Sequence, residues 1–175
     1  RLTRFKLHAA SLLPPKEPGA LNIEGLCTTP ENHLLIGFRN PIPDGKALIV
    51  PLLNPADVVE GKKPELGDPL LLDLGGKGVR SMALANGRYL IAAGSHDGKG
   101  QTKLYAWTGG PEAPVEFTHT HLKGVNVEAV LLYPDTPANE IQVLSDDGTR
   151  KINGQDCKRL KDPRLKQFRA VTVPF

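Results

Sequence analysis

Three stretches of this chain begin alike. Asn22-Ile23-Glu24-Gly25-Leu26 returns as Gly78-Val79-Arg80-Ser81-Met82 and again as Asn126-Val127-Glu128-Ala129-Val130. The starts lie 56 and then 48 residues apart. Each is followed by a turn cluster and then a second apolar run: 34–37, 89–92 and 141–144. Self-similarity at a period near this one marks arrays whose units bury their apolar faces only by stacking on their neighbours.

The runs are short and β-rich, and helical spacing is nearly absent. Strands are expected at 2–7, 24–29, 33–39, 46–52, 69–74, 79–84, 88–94, 102–107, 114–119, 126–133, 140–145, 149–152 and 168–173. One short helix is expected at 55–60. Asp-Gly, Asn-Gly and Asp-Asp-Gly clusters between them are turn signals, because these residues tolerate left-handed backbone. Gly 18 and Pro 16 fit a chain that turns often. The expectation is an all-β chain forming one domain over 1–175, with three four-stranded antiparallel β-propeller blades near 22–75, 78–120 and 126–174. A lone strand at 2–7 would complete a blade that precedes them. Three blades do not close a ring, since propellers have about four to eight. Further N-terminal blades of the same polypeptide, or a second chain, are the expected partners. A β-sandwich is the alternative, as many short strands fit it too.

Composition narrows the function. No apolar run approaches the length that crosses a bilayer, so no membrane span is expected. The chain opens at Arg1 without a charged and apolar leader, and Met82 is its only methionine. More polypeptide upstream is therefore expected, in a periplasmic or secreted location rather than a cytoplasmic one. The net charge of +3 is uneven, with basic residues gathered in 158–166. No aromatic interrupts that run before Phe168, so nucleic-acid binding by stacking is not expected and a solvated loop is. Cys27 and Cys157 are expected to be separate thiols.

The segments 22–26, 35–41, 46–52 and 72–81 resemble a bacterial family, the domain of unknown function 3616. Further matching motifs are Leu104-Tyr105-Ala106-Trp107, Asn126-Val127-Glu128, Leu144-Ser145-Asp146-Asp147-Gly148 and Phe168-Arg169. The resemblance implies a propeller, of which this chain looks like the C-terminal half, and implies no reaction. The Ile-Glu-Gly-Leu signature is also similar to strands of phytase-like, esterase-like and lactonase-type propellers. In some of those, acidic residues around the channel hold a divalent cation such as calcium.

In a propeller, Glu24, Arg80 and Glu128 would begin the three innermost strands and ring one mouth of the channel. Arg39, His96, Asp146 and Asp147 would approach the same face from neighbouring turns. Two carboxylates there can hold a hard cation or divide acid and base work. Arg80 and Arg39 could clamp a small anionic ligand. The same three strand-initial residues could instead tie the blades together as an ion-pair ring. Two functions remain open. One is a metal-assisted phosphoester or ester hydrolase with Glu24, Glu128 and Arg80 as its catalytic set. The other is a non-catalytic binding or scaffold propeller for a protein or carbohydrate.

Three tempting motifs are expected to be structural. Gly75-Gly76-Lys77-Gly78 lacks phosphate-loop spacing and reads as a tight turn. Ser95-His96-Asp97 cannot form a relay, because neighbours on an extended chain point apart. His119 and His121 share a strand face but lack a nearby third ligand. Tyr105, Trp107 and Phe117 are expected in the core.

Overall fold

A computed structural model describes residues 2–117, 122–133 and 139–175. His119 and His121 lie outside the described residues. The chain is all-β, as expected, with four-stranded antiparallel sheets made in sequence order. The first sheet is a meander of β1 (Asn22–Thr28), β2 (Leu34–Asn40), β3 (Ala47–Leu52) and β4 (Leu70–Leu72). The second repeats the plan with β5 (Gly78–Ala85), β6 (Arg88–Gly94), β7 (Lys103–Trp107) and β8 (Val115–Phe117). The short helix expected after β3 is present as α2 (Pro55–Val59), started by Pro55, whose fixed φ suits a first helical turn.

The third sheet departs from the plan. It has three described strands, in the order β13-β10-β9, from β9 (Val127–Leu131), β10 (Glu140–Ser145) and β13 (Ala170–Pro174). The run at 149–152 was expected to be its third strand. Instead, β11 (Lys151–Ile152) pairs only with β12 (Gln155–Asp156) in a hairpin of its own. Asn153 and Gly154 join them with φ of 50° and 83°. Such a turn folds a chain straight back on itself and leaves no strand free for β10. The run at 168–173, expected as a fourth strand, takes the third place.

Residues 2–7 are also not the expected strand. They form a 3-10 turn over Leu2–Phe5 that runs into α1 (Leu7–Ala10), with Lys6 left-handed at φ 51°. Leu2, Phe5, Leu7 and Leu21 pack on Phe38, Leu48 and Val50 of the first sheet. An apolar residue at position 2 breaks period-two alternation, and covering a sheet face rewards helical spacing instead. The buried Asn40 fastens this cover by donating to the carbonyls of Pro15 (3.2 Å) and Glu17 (2.6 Å).

Two apolar layers hold the sheets face to face. Between the first and second lie Ile49, Leu74, Val79, Ile91, Tyr105 and Trp107, all buried. Between the second and third lie Leu90, Leu104, Val127, Ile141, Val143 and Val173. The first strands of successive sheets neighbour each other, β1 on β5 and β5 on β9. Glycines permit the closest approach. Gly25 and Gly37 are cross-strand partners, and a Cβ on either would stand 2.5 or 2.7 Å from Val79 Cγ1. Cys27 and Cys157 are separate, buried free thiols, as expected. Among the described residues no helix is long and apolar enough to cross a membrane.

Candidate functional site

The repeated strand starts place charge at one place. Glu24 on β1, Arg80 on β5 and Glu128 on β9 come together, and Arg39 reaches them from the end of β2. Arg39 Nη1 donates to Glu24 Oε1 at 2.7 Å, and its Nε donates to the Ser95 carbonyl at 3.0 Å. Asn22 Nδ2 donates to the same Glu24 oxygen at 3.0 Å. Arg80 Nε stands 3.9 Å from Glu24 Oε2. The Arg80 guanidinium also donates to Glu128 Oε2, Asn126 Oδ1 and Thr102 Oγ1. The order of charges is therefore Arg39, Glu24, Arg80, Glu128, and it crosses all three sheets.

Both arginines of this chain of charges lie deeper than either carboxylate. The arginine side chains are 5% exposed, Glu24 22% and Glu128 43%. Burial first, and then the Arg39 charge, pull the Arg80 pKa down, while Glu24 and Asp146 pull it up. It stays a cation near neutral pH. Gly94 makes room for it, since a Cβ there would lie 2.6 Å from Arg80 Cδ. Glu24 Oε2 and Arg80 Nε, facing each other, are the buried side-chain polar atoms left without a hydrogen bond among the described residues.

The geometry does not suit the cation that the resemblance implied. A hard divalent ion wants six or more oxygens around it. Here a guanidinium stands between the two carboxylates. Among the described residues no three His, Cys, Asp or Glu side chains group closely enough to hold a metal. Nor are the arginines open fingers for an anion, as each already spans carboxylate and carbonyl or amide partners.

A cavity of about 420 Å³ opens beside this network. Gln101, Asn126, Asp146, Thr149, Arg150 and Arg169 line it. Asn126 joins the two features, because its side-chain oxygen accepts from Arg80 and its side chain also faces the cavity. Of the other expected ligand residues, Asp146 is on this cavity. Its Oδ1 accepts from Gly148 N at 2.9 Å, so Asp146-Asp147-Gly148 is the turn its composition announced. His96 is not on it. It faces a separate space of about 320 Å³ with Pro18, Gly19, Asn40 and Pro41. Ser95-His96-Asp97 is a turn, with Gly98 N bonded to Ser95 O at 3.2 Å and Asp97 Oδ1 accepting from Lys99 N.

Asp147, expected at this face, lines the cavity, but its pairing with Arg169 had no sequence signal. Asp147 is buried and takes Arg169 Nη2 at 2.6 Å, Arg169 Nε and N at 2.9 Å each, and Ser145 Oγ at 2.9 Å. Arg169 above all holds the Asp147 pKa down at about 2. Arg169 Nη2 also donates to the Gly124 carbonyl at 2.9 Å. The pair thereby fixes the cavity wall and steers β13 to the side of β10. Its partners are 22 residues apart, so no local spacing marks them.

No curated protein and no solved structure matches this chain. The family described as "Protein of unknown function (DUF3616)" matches residues 3–140, most of the chain. It covers the first two sheets, β9, the Glu24–Arg80–Glu128 network and Asn126, and the chain belongs to this family of unknown function.

Proposed function

We propose that the chain is a segment of a β-propeller that binds a ligand without transforming it. Its seat is the cavity beside Arg80, and the ligand is a small polar molecule of the saccharide kind. The propeller reading rests on meanders laid down in sequence order with their first strands side by side. The carrying observation for function is that Glu24 and Glu128 are both engaged by arginine. A general base must be free to take a proton, and a metal ligand must offer its lone pairs. The cavity offers amide, hydroxyl, carboxylate and guanidinium groups together, which suits hydroxyls that both donate and accept.

Glucose, N-acetylglucosamine, maltose and cellobiose, titrated while backbone amide resonances are followed, test this. Shifts should gather at Gln101, Asn126 and Thr149. Arg150→Ala and Gln101→Ala should weaken binding at least tenfold and leave the melting temperature unchanged. The same protein should be inert on phosphoester and ester substrates with or without calcium. Turnover that needs Glu128 would contradict the proposal and favour the metal-assisted hydrolase.

A further inference from the structure

The cavity beside Arg80 is walled by connections inside the second and third sheets. Gln101 comes from the link between β6 and β7, Asn126 from the approach to β9, and Asp146 to Arg150 from the turn after β10. Most charges around it are already matched. Arg39 and Arg80 stand with Glu24 and Glu128, and Asp147 takes Arg169. Two charged side chains on the wall remain outside any ion pair among the described residues. One is Asp146, whose Oδ1 accepts from the Gly148 N–H at 2.9 Å and whose second oxygen has no partner. The other is Arg150, whose guanidinium makes no hydrogen bond there.

Positive charge continues from the cavity along the chain. Residues 150–168 carry seven basic side chains against Asp156 and Asp162. Those two carboxylates are taken by Lys151, Arg159 and Arg164. Arg150, Lys158, Lys161 and Lys166 are left without an acidic partner among the described residues. Lys158 is held close to the cavity. Its N–H donates to the Gly148 carbonyl at 2.9 Å. Its side chain lies over that glycine, with Cβ and Cδ 3.6 and 3.7 Å from where a Gly148 Cβ would stand. The turn that supplies Asp146 and Arg150 therefore carries a second unpaired cation against it.

We infer that the ligand of this cavity is an acidic saccharide, a sugar bearing a carboxylate; the inference rests on the saccharide reading above. Asp146 and Gln101 serve the ring hydroxyls, and the Arg150 guanidinium takes the carboxylate through its two parallel N–H donors. Lys158 and the basic run beyond it draw anions toward the site, and would meet the next carboxylate of an acidic chain. A phosphate ester fits less well, because its second negative charge is repelled by Asp146. Among the described residues no aromatic lines the cavity, so a nucleobase has no platform to stack on.

Calorimetric titration of the whole chain with glucose, glucuronate, glucose 6-phosphate and acetate tests this. Glucose and glucuronate differ only in the group at C6. Glucuronate should bind about fivefold tighter than glucose, the most that one exposed ion pair supplies. Arg150→Gln removes the charge and keeps an amide donor. It should reduce that preference to less than about twofold while glucose affinity and the melting temperature stay nearly unchanged. Equal affinity for glucose and glucuronate would overturn the inference and leave the saccharide reading standing. Binding of neither sugar would overturn both. Glucose 6-phosphate or acetate as the tightest ligand, or a glucuronate preference that survives Arg150→Gln, would each overturn the inference as well.

Discussion

Asp147 shows how one side chain can settle both a turn and a strand. Its carboxylate is buried, takes three bonds from Arg169, and so has a pKa of about 2. A pKa lowered by folding stabilises the native state above the ordinary aspartate value and loses that stability as pH falls through the folded one. The loss should therefore fall between about pH 4 and pH 2 and amount to about 2 kcal/mol. Urea unfolding at a series of pH values should show that decline in the parent chain. Asp147→Asn should be less stable at neutral pH and should show a flatter acid limb. Cys27 supplies a second expectation at this scale. Burial pushes its thiol up to about 11, which leaves almost no thiolate at neutral pH. Alkylation of Cys27 should follow the unfolding rate, and rapid labelling of the native chain would contradict the packing described.

At the scale of elements, the sheets meet where side chains are missing. Gly25 and Gly37 face Val79 and Met82 so closely that a methyl group has no place. Gly25→Ala should cost about 1–3 kcal/mol in chemical denaturation, as overpacking does. It should act by separating β1 from β5, which near-ultraviolet dichroism of Tyr105 and Trp107 would register. β10 and the end of β1 were legible because half-buried strands write their burial into period two, whereas β3 and β6, buried on both faces, were legible as continuous apolar runs. The departures occurred where a local signal had two outlets. Leu2, Phe5 and Leu7 are apolar enough for a strand, but a sheet face needed covering. Asn153-Gly154 announced a turn, yet a turn does not say whether its arms join the main sheet. Arg169, paired at long range with Asp147, decided that.

For the whole molecule, the sequence repeat alone made the shared position of Glu24, Arg80 and Glu128 legible. It did not say whether that position serves chemistry or cohesion, because the same residue types do both. The pairing with Arg39 and the near-complete burial of both arginines favour cohesion. The charges bind three sheets that otherwise touch through apolar layers. The proposed ligand seat is then the neighbouring cavity, whose polar walls include Gln101, Asn126, Asp146, Thr149 and Arg150. Neither Gln101 nor Arg150 stood out in the sequence, since exposed polar residues in turns are common.

Chemical denaturation of Glu24→Gln at neutral pH tests the central claim most directly. The substitution keeps the size and shape of the side chain. It leaves Arg39 and Arg80 buried without the anion between them, and an uncompensated buried charge is costly. The account predicts a stability loss of about 3 kcal/mol, with saccharide binding at the adjoining cavity retained wherever the chain remains folded. Unchanged stability together with lost binding would contradict it and would return Glu24 to the ligand site.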